Sequence, residues 1–153
     1  MHRDNAALFE EKLSRNIFCI ELCTLSSPED IRAGKVLVGM DYSTHEHHPV
    51  YTPEIYARHL QHIIKLMDKY ENYCFIPINP KHPQTYHLFS GESGLALLVS
   101  NSSPFFMMEI RRPELSIACY EYLMRMADLV GHTGIRRTKI RIQLTELIQE
   151  LLS

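Results

Sequence analysis

The sequence predicts an α+β fold, a single layered sandwich domain in which amphipathic helices cover a mixed or antiparallel sheet. Three observations carry this. Helix-period patterns open after Thr52-Pro53-Glu54 and after Pro113, four short strand-like runs lie between them, and the gaps at Gly91–Gly94 and Asn101–Pro104 are too short for crossovers. At 153 residues, 45 % hydrophobic and 22 % charged, the chain has the size and composition of one globular domain.

Taken in order, Ala6–Arg15 forms a short helix ending near Asn16, and Ile17–Leu25 (IFCIELCTL) reads as a buried strand. Ser27-Pro28-Glu29-Asp30 starts a helix that Gly34 keeps short. Val36–Met40 is a further strand candidate, followed by a polar, histidine-rich loop from Asp41 to Val50. Thr52 then caps the clearest helix, with Pro53 in its first turn and Glu54 suited to its positive end. Ile55, Tyr56, Leu60, Ile63, Ile64, Leu66, Met67 and Tyr70 share its core arc, and it ends near Glu71-Asn72. Tyr73–Ile78, Tyr86–Ser90, Leu95–Ser100 and Phe105–Ile110 are strands, the later ones joined as hairpins by turn-type residues. A helix from Glu114 to Val130 is expected to bury Leu115, Ala118, Cys119, Tyr122, Leu123, Met126 and Leu129. A last helix, about Arg136 to Leu152, aligns Ile140, Leu144, Leu147, Ile148 and Leu151.

The composition excludes several function classes. A formal charge of −2 rules out a strongly cationic nucleic-acid coat, though not a local basic stripe. No apolar run reaches the roughly 18–20 residues that span a bilayer, and the amino terminus lacks a secretory hydrophobic segment. Cys19, Cys23, Cys74 and Cys119 show no CxxC spacing and read as buried thiols of a cytoplasmic protein.

Motifs for chemistry are sparse. His45-Glu46-His47-His48 offers ligand types for a transition metal, and a small metal-dependent enzyme using this loop is one reading. A catalytic zinc needs three convergent ligands and an open position, and no distant Cys/His pair completes such a set. A solvated loop is the simpler reading, so no metal and no cofactor are expected. His59 and His62 are three apart on a helix, unlike HExxH; His59 falls inside the apolar arc, as a hydrogen-bonded core group or a pocket wall. Gly-x-Ser-x-Gly, Walker and GxGxxG motifs are lacking, and no convincing acid/base pair is visible, so the chain reads as a non-enzyme. Arg111 and Arg112 end a strand before the Pro113 helix, where they could grip an anion with the helix amino terminus. Arg136, Arg137, Lys139 and Arg141 crowd a helix start against the macrodipole, an arrangement that wants phosphates or a neighbour's carboxylates. Direct DNA binding through these four is a further alternative, although they scatter around the helix axis.

Several stretches resemble a set of bacterial transcriptional regulators typical of Firmicutes. They are Val38–Tyr42, His47–Leu60, Tyr70–Tyr73, Gly94–Val99 and Phe106–Glu114. In those proteins a Cro/repressor-type helix-turn-helix module precedes a domain of this kind. The resemblance covers the chain from its first strand to its last helix, but only about sixteen residues precede that strand, too few for the DNA-binding module. It implies a regulatory domain that senses a small effector or holds subunits together as a homodimer, with DNA reached only through the missing module. It transfers no catalytic residue. Where the long helix meets the sheet, Tyr56, His59 and the Arg111-Arg112 end are the polar candidates for effector binding. Ile117, Tyr120 and Met124, on a second face of the penultimate helix, are available for self-association.

Overall fold

The computed structural model describes residues 9–36, 50–78, 86–91, 95–100, 107–130 and 134–153. Most of Val36–Met40, all of His45–His48 and the leading residues of the first helix lie outside them. The elements are a short helix α1 (described over 9–14), β1 (Cys19–Thr24), α2 (Pro28–Arg32), α3 (Pro53–Lys69), β2 (Tyr73–Ile78), β3 (Tyr86–Gly91), β4 (Leu95–Ser100), β5 (Met107–Ile110), α4 (Pro113–Val130) and α5 (Gly134–Leu152).

The strands form one mixed sheet in the order β2-β1-β3-β4-β5. β1 runs parallel to β2, Cys19 opposite Tyr73, because α3 lies in the crossover between them. β1 pairs antiparallel with β3, Ile20 opposite Ser90, and β3, β4 and β5 continue as the antiparallel meander that the short gaps predict.

Period-two alternation gives the sheet two apolar faces. Tyr73 and Phe75 point into a core with Leu13 of α1, Ile31 of α2, Leu60, Ile63 and Met67 of α3, and Ile140, Leu144, Ile148 and Leu151 of α5. Ile20, Leu22, Cys74 and Ile76 point the other way, onto Leu123 of α4. α4 and α5 therefore lie on opposite faces of the sheet. All four cysteines are free thiols; Cys74 is buried and the others partly so.

Local chemistry sets the element ends. α1 stops in a Schellman turn: Asn16 takes φ 60°, its N–H donates to Leu13 O, and the Ile17 N–H donates to Lys12 O. Gly34, φ 64°, closes α2 in the same way, its N–H donating to Ile31 O and that of Lys35 to Asp30 O. Ser27 caps α2 by accepting from the Asp30 N–H, and Thr52 caps α3 by accepting from that of Ile55.

α4 departs from the sequence reading. Ser116 and Leu123 are fully buried, with Cys119, Tyr120, Met124 and Met126 partly so, whereas Leu115 and Tyr122 are about half exposed and Ala118 is exposed. The buried arc is turned toward Ser116. Its hydroxyl donates to Pro113 O at 3.0 Å, which lets a serine occupy the core without an unpaired group. Of the residues offered for self-association, Ile117 is exposed, while Met124 packs on the α4-side core.

Candidate functional site

Among the described residues, a set of ionisable groups gathers on the α3 side of β1. In the run IFCIELCTL, alternation places Glu21 on the same face as Cys19 and Cys23, beneath α3. Tyr73 of β2 donates its hydroxyl to Glu21 Oε2 at 2.6 Å. Among the described residues it is the hydrogen-bond donor to that carboxylate. Glu21 keeps a partly accessible edge within a surround of protein, and desolvation pushes its pKa above the ordinary carboxylate range, opposed by the Tyr73 bond. Burial and the nearby carboxylate push the Tyr73 phenol strongly upward. The Cys23 thiol is pushed up to about 12, again by burial first and Glu21 second, so it stays protonated and poorly nucleophilic at neutral pH.

A second tier comes from the start of α3. The Tyr56 hydroxyl accepts from the Ser26 N–H at 3.0 Å, tying the exit of β1 to the first turn of α3. The Tyr56 ring stacks on His59, 6.4 Å between centroids and 3° between planes, and meets the edge of Tyr51 at 5.1 Å. The Tyr51 hydroxyl lies 3.4 Å from His59 Nδ1. Desolvation of a ring that still shows an exposed edge lowers the His59 pKa, with His62 adding to the effect, and burial raises Tyr51 to about 12. Tyr51, Tyr56, His59 and Cys23 are thus uncharged donors and acceptors at neutral pH, and Glu21 is the group whose ionisation its surroundings leave adjustable.

Of the four effector-binding candidates, Tyr56 and His59 stand together. Arg111 and Arg112 do not join them: they follow β5, three strand spacings from β1, or roughly 14 Å across the sheet. Their guanidinium groups are exposed and pair with Glu109 (2.9 Å) and Glu114 (3.5 Å). Glu21, Tyr73 and Tyr51 were missed in the sequence, although a lone carboxylate inside an apolar strand is a readable anomaly.

The basic start of α5 finds its acceptors at the end of α3 and in the turn that leads into β2. Arg137 donates to the main-chain carbonyls of Met67, Tyr70 (3.1 Å), Glu71 (3.3 Å) and Tyr73 (2.9 Å), and Arg141 pairs with Asp68 at 3.4 Å. α3 ends at Tyr70 without a glycine cap, so the guanidinium fork satisfies the carbonyls that its last turn leaves open. Arg136 and Lys139 are exposed. The recess at this junction, about 70 Å³, has room for a few waters only and is too small for an effector. Among the described residues no three His, Cys, Asp or Glu side chains converge as a metal site, and none of the helices is long and apolar enough to cross a membrane.

No family model, curated protein or solved structure matches this chain.

Proposed function

We propose that this chain is a non-catalytic regulatory domain of a cytoplasmic bacterial transcription regulator, one that binds a small effector and self-associates, with DNA contacted through another module. The observation that supports it most is the Glu21 cluster, a partly accessible carboxylate with one donor and a wall of Tyr51, Tyr56 and Tyr73. Such a lining binds and orients and has no activated nucleophile: Cys23 is held as a thiol and His59 as neutral imidazole. Its chemistry suits a ligand with a cationic or N–H-donating group. That group gives Glu21 the charge partner it lacks among the described residues, and aromatic faces favour cations. The regulator class rests on the resemblance of Val38–Tyr42, His47–Leu60 and Phe106–Glu114 described above.

Thermal-shift screening with a panel of small primary amines tests this. A binder raises the Tm of the wild-type chain, lowers the Glu21 pKa, and loses most of its effect in Glu21→Gln. His59→Ala, folded but with unchanged affinity, removes His59 from the site. If no amine shifts the melting curve, the effector reading fails; activity that a chelator abolishes would favour the His45–His48 enzyme instead.

A further inference from the structure

α5 has an apolar side in the core and a second, uncharged side facing out, where three large apolar residues alternate with threonines and a glutamine. Ile140, Leu144, Ile148 and Leu151 enter the core with α3. On the far side, Ile135, Thr138, Ile142, Thr145, Gln149 and Leu152 succeed one another at alternating steps of three and four residues. All six are exposed, Ile135 at 74 %, Ile142 at 52 % and Leu152 at 56 %. Scattered exposed apolar residues need no explanation, but this spacing is that of a coiled-coil seam. The seam carries no charge, and Lys139 and Glu146 flank it on one side. The Thr145 hydroxyl donates to Arg141 O at 2.8 Å, so its polar group is already satisfied.

The stripe is complementary to its own reverse. Laid antiparallel on a second α5 with Ile142 opposite Thr145, it sets Ile135 opposite Leu152 and Thr138 opposite Gln149. Apolar pairs then close both ends, about 26 Å apart along the helix. In this register Lys139 of each copy comes within one turn of Glu146 of the other, twice by symmetry. Parallel pairing sets each seam residue against itself and separates those charges.

We infer that the outer face of α5 docks a second copy of this chain, α5 against α5, antiparallel about a two-fold axis. Such an interface is isologous and closes at the dimer. It deepens the self-association part of the proposed function and owes nothing to the Glu21 site. Its test reads mass instead of ligand, so the two readings fail separately.

Sedimentation equilibrium of the 153-residue chain, from low to high micromolar, gives a monomer–dimer equilibrium. Ile142→Glu raises the dissociation constant at least about tenfold, equivalent to 1.4 kcal/mol or more. Lys139→Glu, which sets Glu against Glu146, raises it about threefold or more, and Lys139→Glu combined with Glu146→Lys brings it back to within about twofold of wild type. Leu115→Glu, on α4, leaves the equilibrium unchanged. Circular dichroism melts establish that each variant folds; Ile135→Gln, at the most exposed seam position, replaces Ile142→Glu if that one does not. A wild-type chain monomeric throughout, a dimer indifferent to the seam substitutions, a charge swap without recovery, or dissociation by Leu115→Glu each overturns the inference.

Discussion

The two faces of the sheet are built differently. The α3 face carries the thicker core, from α1, α2, α3 and α5, and with it the buried polar ties: Glu21 to Tyr73, Tyr56 to Ser26, and Arg137 to the end of α3. The α4 face rests on one helix, and its core is Ile20, Leu22, Cys74, Ile76 and Leu123 with Phe18, Leu88, Met124 and Met126 at its margin. The α3 face is fixed by several long-range directional bonds; on the α4 face the Ser90 hydroxyl donates to Ser116 O at 3.3 Å, and shape does most of the rest. Where directional bonds hold a face, a change of protonation acts on it; where packing does most of the work, substitutions act chiefly through the volume they leave empty.

Truncation of matched leucines sharpens this contrast most. Leu144 and Leu123 are both fully buried. Leu144→Ala is expected to lose about 3–4 kcal/mol in urea unfolding, because its neighbours are locked between two helices. Leu123→Ala should lose about 2–3 kcal/mol, since the adaptable Met124 and Met126 can move into the void. Equal losses would break the distinction.

Arg137→Met should cost about 2–3 kcal/mol by leaving partly buried carbonyls without donors, and Arg137→Lys should restore only part of it, as an ammonium cannot reproduce the fork. Full recovery with lysine would reduce the residue to a charge at a helix end.

Glu21→Gln acts in the opposite direction. A carboxyl whose pKa is raised by folding favours the native state below its ordinary value of 4.5, and that contribution is lost as pH rises through the folded value. The variant should therefore match wild type near pH 4 and be the more stable of the two at pH 8. His59, with a lowered pKa, behaves inversely: its contribution is present above 6.5 and is lost as pH falls through the folded value. A pH–Tm series on wild type, Glu21→Gln and His59→Ala separates the two. Arg111→Ala, at an exposed ion pair, should leave the melting temperature essentially unchanged.

Much of this architecture is legible in the sequence where local chemistry decides it. Thr52-Pro53 and Ser27-Pro28 mark helix starts through their hydrogen bonding and fixed dihedral, and the short gaps after β3 and β4 leave the chain no option but hairpins. The rotation of α4 is not legible. Leu115, Ile117, Cys119, Tyr120, Tyr122, Leu123, Met124 and Met126 make it apolar nearly all round, so periodicity has no preferred face, and the residue at its buried centre is a serine. Tyr56 and His59 are adjacent because they lie on one helix; their separation from Arg111 depends on strand order, which no local pattern encodes. Glu21 is missed for a different reason. Its partner Tyr73 comes from a parallel neighbour far along the chain, and only that pairing turns an odd residue in a strand into part of a cluster.

The interior place of β1, between β2 and β3, has a consequence for synthesis. Its neighbours on either side, residues 73–78 and 88–90, leave the ribosome long after it does. An oily segment made before both of its partners must wait, edges bare, until they emerge, and that interval is when a nascent chain of this kind most needs a chaperone.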